Sequence, residues 1–302
     1  MNITLPPPGG NGYHLRLLGE ANRLAHGGVP PQEACRILRE ATPTGTRRVP
    51  DREIVQAVSK AHNEASARPR TRWHYQPRPA AKRFDPAAFM AKLQADADGI
   101  TEVDVWEASP YRLDVPPEKD ATLLLHTLYK PDDFLFIGDQ YSTTVKTVAE
   151  WLADIETGKR MPPHIIPNPL TGKAGVTKDG KESFRADSCV NQFRFAVAEF
   201  DGLTRDEQIR FWWSVNFPLH ALIDSGGKSL HGWVAIDGIK TAEQWADQVE
   251  NKLFANYLIP LGCDSACRNE ARLSRMPGHF RTEKKRWQRI LWLSPKARKV
   301  RG

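Results

Sequence analysis

The sequence predicts a mixed α/β (α+β) chain in two domains: a small helical one over residues 1–65 and a larger α/β one over residues 85–302. Three observations predict this. A length of 302 residues suits two domains. Apolar residues recur at three- and four-residue spacing between residues 13 and 65. From Phe84 onward, short apolar runs of strand character alternate with helical stretches. With 40% hydrophobic and 9% aromatic residues, the chain can build proper cores, which excludes wholesale disorder.

The first helix is read from Tyr13, Leu17, Leu18, Ala21, Leu24 and Ala25, and Gly27-Gly28 stops it. Pro30-Pro31 opens the second, because proline lacks only an N–H that the first helical turn leaves unpaired anyway. Its apolar face is Ala34, Ile37 and Leu38. A third stripe, Ile54, Val55, Val58 and Ala61, follows Asp51. Residues 66–84, rich in Pro and Arg, read as a linker. Residues 86–97 and 144–156 read as helices, 133–139 as a short strand ending in glycine, and 160–187 as loop.

Composition excludes several classes. No apolar run reaches the ~18 residues of a membrane span. The N-terminus lacks a basic start followed by an apolar stretch, so no secretory signal is expected. Four cysteines form no disulfide framework, and a soluble, cytoplasmic protein is the expectation. The net charge of +7 is unevenly spread. Residues 66–84 carry six Lys or Arg and no acid, and residues 281–302 carry nine with one acid. Both segments contain Trp. Cations with aromatic rings suit single-stranded nucleic acid. The alternative is a solvated linker and a frayed tail.

Three short segments carry the chemistry. The first, residues 193–202, ends in Glu199 and Asp201, which share one face of an extended strand. Two adjacent carboxylates repel unless a cation lies between them, and Mg²⁺ favours such oxygen ligands. The alternative is a strand that has reached the surface. The second, residues 221–237, places Ser225-Gly226-Gly227-Lys228-Ser229 between two apolar runs. A Walker A loop is excluded, since position 222 is Leu and a strand rather than a helix follows. The glycines permit a tight turn with exposed backbone N–H groups. Lys228, Ser229 and His231 remain: a lysine with a hydroxyl and an imidazole on one face, a set that suits triphosphate oxygens. A plain hairpin with a satisfied histidine is the other reading.

The third segment, residues 261–281, contains Asp264, then Arg272 and Arg275, which share a face if the stretch is helical. Cys263 and Cys267 have no accompanying pair at zinc-like spacing, so no structural zinc is expected. One buried and one incidental cysteine is the expectation there.

In this order, the strand-end ExD, SGGKSLH, and an Asp followed by RLSRMPG resemble the archaeo-eukaryotic primase superfamily. The likeness is greatest to the primase-polymerases of phages, plasmids and other mobile elements. It runs from about residue 120 to 295 and includes PHIIPNPLTG at 163–172. The acid pair is Glu-x-Asp where much of the superfamily has Asp-x-Asp or Asp-x-Glu; both types supply oxygen ligands. Residues 11–65 resemble the helical domain that accompanies many such primases, here placed before the catalytic domain instead of after it.

The resemblance implies a two-lobed catalytic domain with an RRM-like sheet and a DNA primase or primase-polymerase activity. Glu199, Asp201 and Asp264 would hold two Mg²⁺ or Mn²⁺ ions, and His231 would join them as a catalytic residue. Lys228, Ser229, His231, Arg272 and Arg275 would bind the nucleotide. Implied partners are a single-stranded DNA template, ribo- or deoxynucleoside triphosphates and a replicative helicase, with no membrane. Two other classes compete. A non-catalytic strand-binding replication accessory would be marked by a lost metal ligand, and none is lost. A metal-dependent nuclease accounts for the acids but gives Lys228, Ser229 and His231 no role.

Overall fold

The computed structural model describes residues 3–9, 12–67, 84–139, 141–177 and 179–301. The chain divides into two compact units, Met1–Lys82 and Arg83–Gly302. Of the linker assigned to residues 66–84, residues 68–83 lie outside the described residues.

The first unit consists of helices α1 (Tyr13–His26), α2 (Pro31–Glu40) and α3 (Asp51–Ala67). They enclose a core in which Tyr13, Leu17, Ala21, Leu24, Ala34, Leu38, Ile54, Val58 and Ala61 are buried. The helical periodicity therefore located both the elements and their inner faces. Val55 departs from the expected stripe: it is 45% exposed, and Ala57 is buried in its stead. The small alanine lets α1 and α3 approach. Tyr13 and Thr42 share a hydroxyl–hydroxyl hydrogen bond, and both ring nitrogens of His62 meet carbonyls, those of Val58 and Val29.

The second unit runs α4 (Pro86–Asp96), α5 (Glu102–Glu107), α6 (Asp120–Leu128), β1 (Phe134–Gly138), β2 (Val145–Thr147), α7 (Val148–Glu156), β3 (His164–Ile165), β4 (Gly175–Val176), β5 (Glu182–Ser183), β6 (Phe195–Glu199), α8 (Arg205–Ser214), β7 (Leu219–Asp224) and β8 (Leu230–Ala235). Helix α9 (Ala242–Trp245) continues as a π-helical stretch, Ala246–Leu258. Strands β9 (Ser274–Arg275), β10 (Phe280–Arg281), β11 (Arg286–Trp287) and β12 (Arg289–Arg298) complete it. Helix α7 starts later than expected because Val145–Thr147 pairs with β1, after which the Thr147 hydroxyl caps the helix by accepting from Glu150 N–H. No described helix is long and apolar enough to cross a membrane.

One antiparallel sheet has the order β12-β7-β8-β6 and a second the order β2-β1-β3-β9. Alternation along β6 assigns the faces of the first sheet. Ala196 and Ala198 pack with Trp212, Trp245 and Phe254; Phe195 and Val197 pack with Leu125, Ile137 and Trp233. The sheet is thus apolar on both faces, and its polar residues collect at strand ends. Gly232 lies beneath the Trp212 indole, in space that a Cβ would contest.

Two readings left open by the sequence are decided here. Residues 289–298 are not a frayed tail but a strand hydrogen-bonded to β7, with Trp292 fully buried. Ile290, Leu291, Trp292 and Leu293 supply enough apolar surface to outweigh the flanking charges. Residues 261–281 are not one helix: a single turn, Ser265–Arg268, is followed by extended chain.

Candidate active site

Glu199, the last residue of β6, is the ladder partner of His231 on β8. Residues directly opposite in an antiparallel pair project to the same face, so the register alone brings carboxylate and imidazole together. His231 Nε2 lies 3.4 Å from Glu199 Oε1. Ser229, two residues before His231, donates its hydroxyl to the same oxygen at 2.8 Å. On the other side of the ring, His231 Nδ1 stands 3.4 Å from Ser274 Oγ, which accepts from the Trp233 indole N–H at 2.8 Å. Among the described residues His231 Nε2 is buried without a hydrogen bond, so the imidazole stands beside Glu199 with that nitrogen still unsatisfied.

Asp264 arrives at the same end because its backbone N–H donates to the Glu199 carbonyl at 2.9 Å. Its carboxylate caps the following turn through Ala266 N–H and meets Arg272 Nη2 at 3.2 Å. The same Nη2 lies 3.6 Å from Glu199 Oε2. Burial pushes the Glu199 carboxyl up, but His231, the Ser229 hydroxyl and Arg272 together outweigh it and pull its pKa down to about 2. Glu199 is therefore an ionised acceptor at neutral pH.

The hairpin turn behaves differently from its sequence reading. Ser225 N–H bonds the Ser229 carbonyl, Gly226 N–H the Asp224 carboxylate, and Gly227 N–H the Ser225 hydroxyl. These donors are spent inside the turn and are not exposed for a phosphate. Gly226 has φ +64°, a conformation that side-chain-bearing residues rarely adopt. Exposed Lys228 reaches back to donate to the Asp201 carbonyl at 2.8 Å. Asp201 lies in the turn after β6 and is exposed, because the strand ends at Glu199.

Arg272 and Arg275 do not share a helix face, since the chain between them is extended. Arg272 serves the two carboxylates, whereas Arg275 Nη1 meets His164 Nε2 at 2.9 Å. Burial, then the positive charge of Arg275 and its neighbours, holds His164 down to about 4, so the ring is neutral and accepts from Arg275. Burial and nearby Arg281 also lower Arg275. His164 escaped the sequence reading as a site residue, although it lies in the PHIIPNPLTG stretch. Behind the hairpin, Arg205 bonds both oxygens of buried Asp224 at 3.1 and 2.9 Å and also meets Glu102. That triad had no sequence signal, because its members are far apart in the chain.

Glu199 Oε2 and Asp264 Oδ2 converge on one cationic position, which Arg272 fills, and such an oxygen pair suits a divalent ion. Among the described residues, no three His, Cys, Asp or Glu side chains are gathered to hold a metal, and the exposed Asp201 meets Lys228 through its backbone carbonyl. Cys263 and Cys267 are both buried, so neither is incidental. Contact with Cys267 and burial raise the Cys263 pKa, as befits a core thiol.

No protein-family model matches the chain, and no curated protein matches it either. Among solved structures, the AEP domain of the cyanophage S-2L primase-polymerase is similar. The match covers 61% of this chain and 96% of that one, at 16% identity and a TM-score of 0.42.

Proposed function

We propose that this chain transfers nucleotidyl groups on a single-stranded DNA template, starting primers de novo and extending them. The observation that carries this reading is the convergence of Ser229, His231, Asp264 and Arg272 on Glu199 at one sheet end. The two four-stranded sheets are read as the two lobes of the catalytic domain.

Glu199 and Asp264, with Asp201 just beyond the strand, would hold two Mg²⁺ or Mn²⁺ ions. Such ions, when bound, stabilise the charge on the attacking and leaving oxygens of an in-line displacement at the α-phosphate. Ser229 donates to Glu199 Oε1, and His231 Nε2, buried without a hydrogen bond 3.4 Å from the same oxygen, is a second donor beside that acceptor. A triphosphate oxygen can replace that shared acceptor for either donor. Lys228 stands exposed at the mouth of the site, and Arg275, whose described partner is a neutral imidazole, keeps its charge available for phosphate. Arg272, which bridges the two carboxylates, would be freed for a phosphate contact if Glu199 and Asp264 were engaged by a cation.

Incubation with single-stranded circular DNA, Mn²⁺ and labelled ATP or dATP tests the reading. Labelled products of primer length support it. Degraded template without incorporation identifies a nuclease, and strand binding without either reaction identifies an accessory protein.

A further inference from the structure

Apart from the acids, the second unit carries a groove of about 670 Å³. One wall is the hairpin of β10 and β11, where Phe280 and Trp287 are ladder partners with ring centroids 5.2 Å apart. Phe280 is 40% exposed, unusual for a large apolar ring with a partner to pack on. The rest of the lining includes Lys119, Lys159 and Arg160 against a single acid, Glu118. Lys159 is held by Asp154 at 2.6 Å, whereas Lys119 and Arg160 have no ion pair among the described residues. Beyond the rings, the hairpin tip adds Lys284 and Lys285, with Glu283 committed to Arg281.

This groove joins the candidate active site by a short path. His279 Nδ1 meets the Met161 carbonyl at 2.8 Å, Met276 N–H the Pro163 carbonyl at 3.0 Å, and Ser274 pairs with Ile165. Ser274 in turn touches His231. Ser274 and His279 are five positions apart, so the groove begins no more than about 18 Å of chain from the serine that touches the imidazole. A few nucleotides of unpaired strand span that distance.

We propose that the groove seats single-stranded DNA, with a base stacked on the Phe280–Trp287 pair and flanking phosphates on Lys119, Arg160 and the hairpin tip. Stacking on an aromatic face is sequence-tolerant and requires an unpaired base, while cations on both sides follow a backbone rather than one phosphate group. A duplex, whose bases are already stacked, gains nothing from the rings. Only the strand's designation as template rests on the nucleotidyl-transfer reading.

The test is fluorescence anisotropy of a labelled 20-nucleotide homopolymer with the full chain, without nucleotides or metal. Trp287→Ala is expected to weaken binding about tenfold. Trp287→Phe, which keeps a ring, should restore most of it, and the affinity for duplex should stay unchanged. Arg160→Glu should lower the salt slope by about one phosphate contact. Circular-dichroism melts confirm that each variant is folded. Wild-type-like binding by folded Trp287→Ala and Arg160→Glu overturns the proposal, as does a loss that is equal for duplex. Strand binding that depends on Trp287 in a chain without incorporation activity would retain the groove and reject the polymerase reading, so the two fail separately.

Discussion

Glu199 and His231 are opposite residues of the β6–β8 ladder, with Nε2 3.4 Å from Oε1. Backbone pairing, not side-chain attraction alone, holds them together, so the acid and the imidazole remain aligned when either is altered. The same carboxylate serves Ser229 and Arg272. It is therefore both the centre of the candidate site and a structural acceptor.

Glu199→Gln should abolish incorporation by removing the ionised oxygen that His231, Ser229 and Arg272 share. It should also cost about 2 kcal/mol of stability, because the buried Ser229 hydroxyl and the half-buried Arg272 guanidinium lose a charged acceptor. Asp201→Ala should abolish incorporation too, but leave stability within about 0.5 kcal/mol, since that residue is exposed. Urea unfolding beside a primer assay checks both. An active Asp201→Ala enzyme would remove Asp201 from the metal set.

His231→Ala should weaken nucleotide use while leaving single-stranded DNA binding nearly unchanged. The ring meets Glu199 and Ser274, and none of the three lines the proposed strand groove. Nucleotide titration and strand anisotropy on one preparation check this. A strand defect with normal nucleotide binding would reverse the assignment.

Gly232→Ala should destabilise the second unit by about 1–3 kcal/mol, because the new methyl meets the Trp212 ring, which is fully buried and cannot retreat. A lower urea midpoint is the readout. An unchanged midpoint would mean that the Trp212 layer is looser than its packing indicates.

His164 gives a pH dependence. Its folded pKa, about 4, lies below the ordinary 6.5, so the folded state favours the neutral ring. The associated stability is complete above pH 6.5 and is lost as pH falls toward 4. The wild type should lose more stability than His164→Asn over that window, measured as the difference in urea midpoints. Parallel curves would show that His164 titrates normally.

Deleting residues 1–65 should suppress de novo synthesis far more than extension of a preformed primer. On the proposed reading, extension would use only the sites of the second unit, whereas a second initiating nucleotide would need further protein contacts. Both activities are measured on one template. A truncated chain that starts primers normally would make the helical unit a docking module, for instance for a helicase.

The sequence by itself determined the elements whose signal is local. The stripe from Tyr13 to Leu24 specified an inner helix face, and the apolar run before Glu199 specified a strand ending in an acid. The SGGKSLH stretch specified a hairpin with Ser229 and His231 on one face, and the structure has it. Periodicity reads such features because they depend on residues two to four apart. Tertiary structure alone decided the partners. Arg272 bridges Glu199 and Asp264, Arg275 goes to His164, and Arg205 closes on Asp224 and Glu102. It also decided that β6 stops before Asp201 and that the basic C-terminal segment completes a sheet. These choices depend on which strands pair and in what register, and a side chain's nearest charge is then set by residues distant in the chain that its own spacing cannot encode.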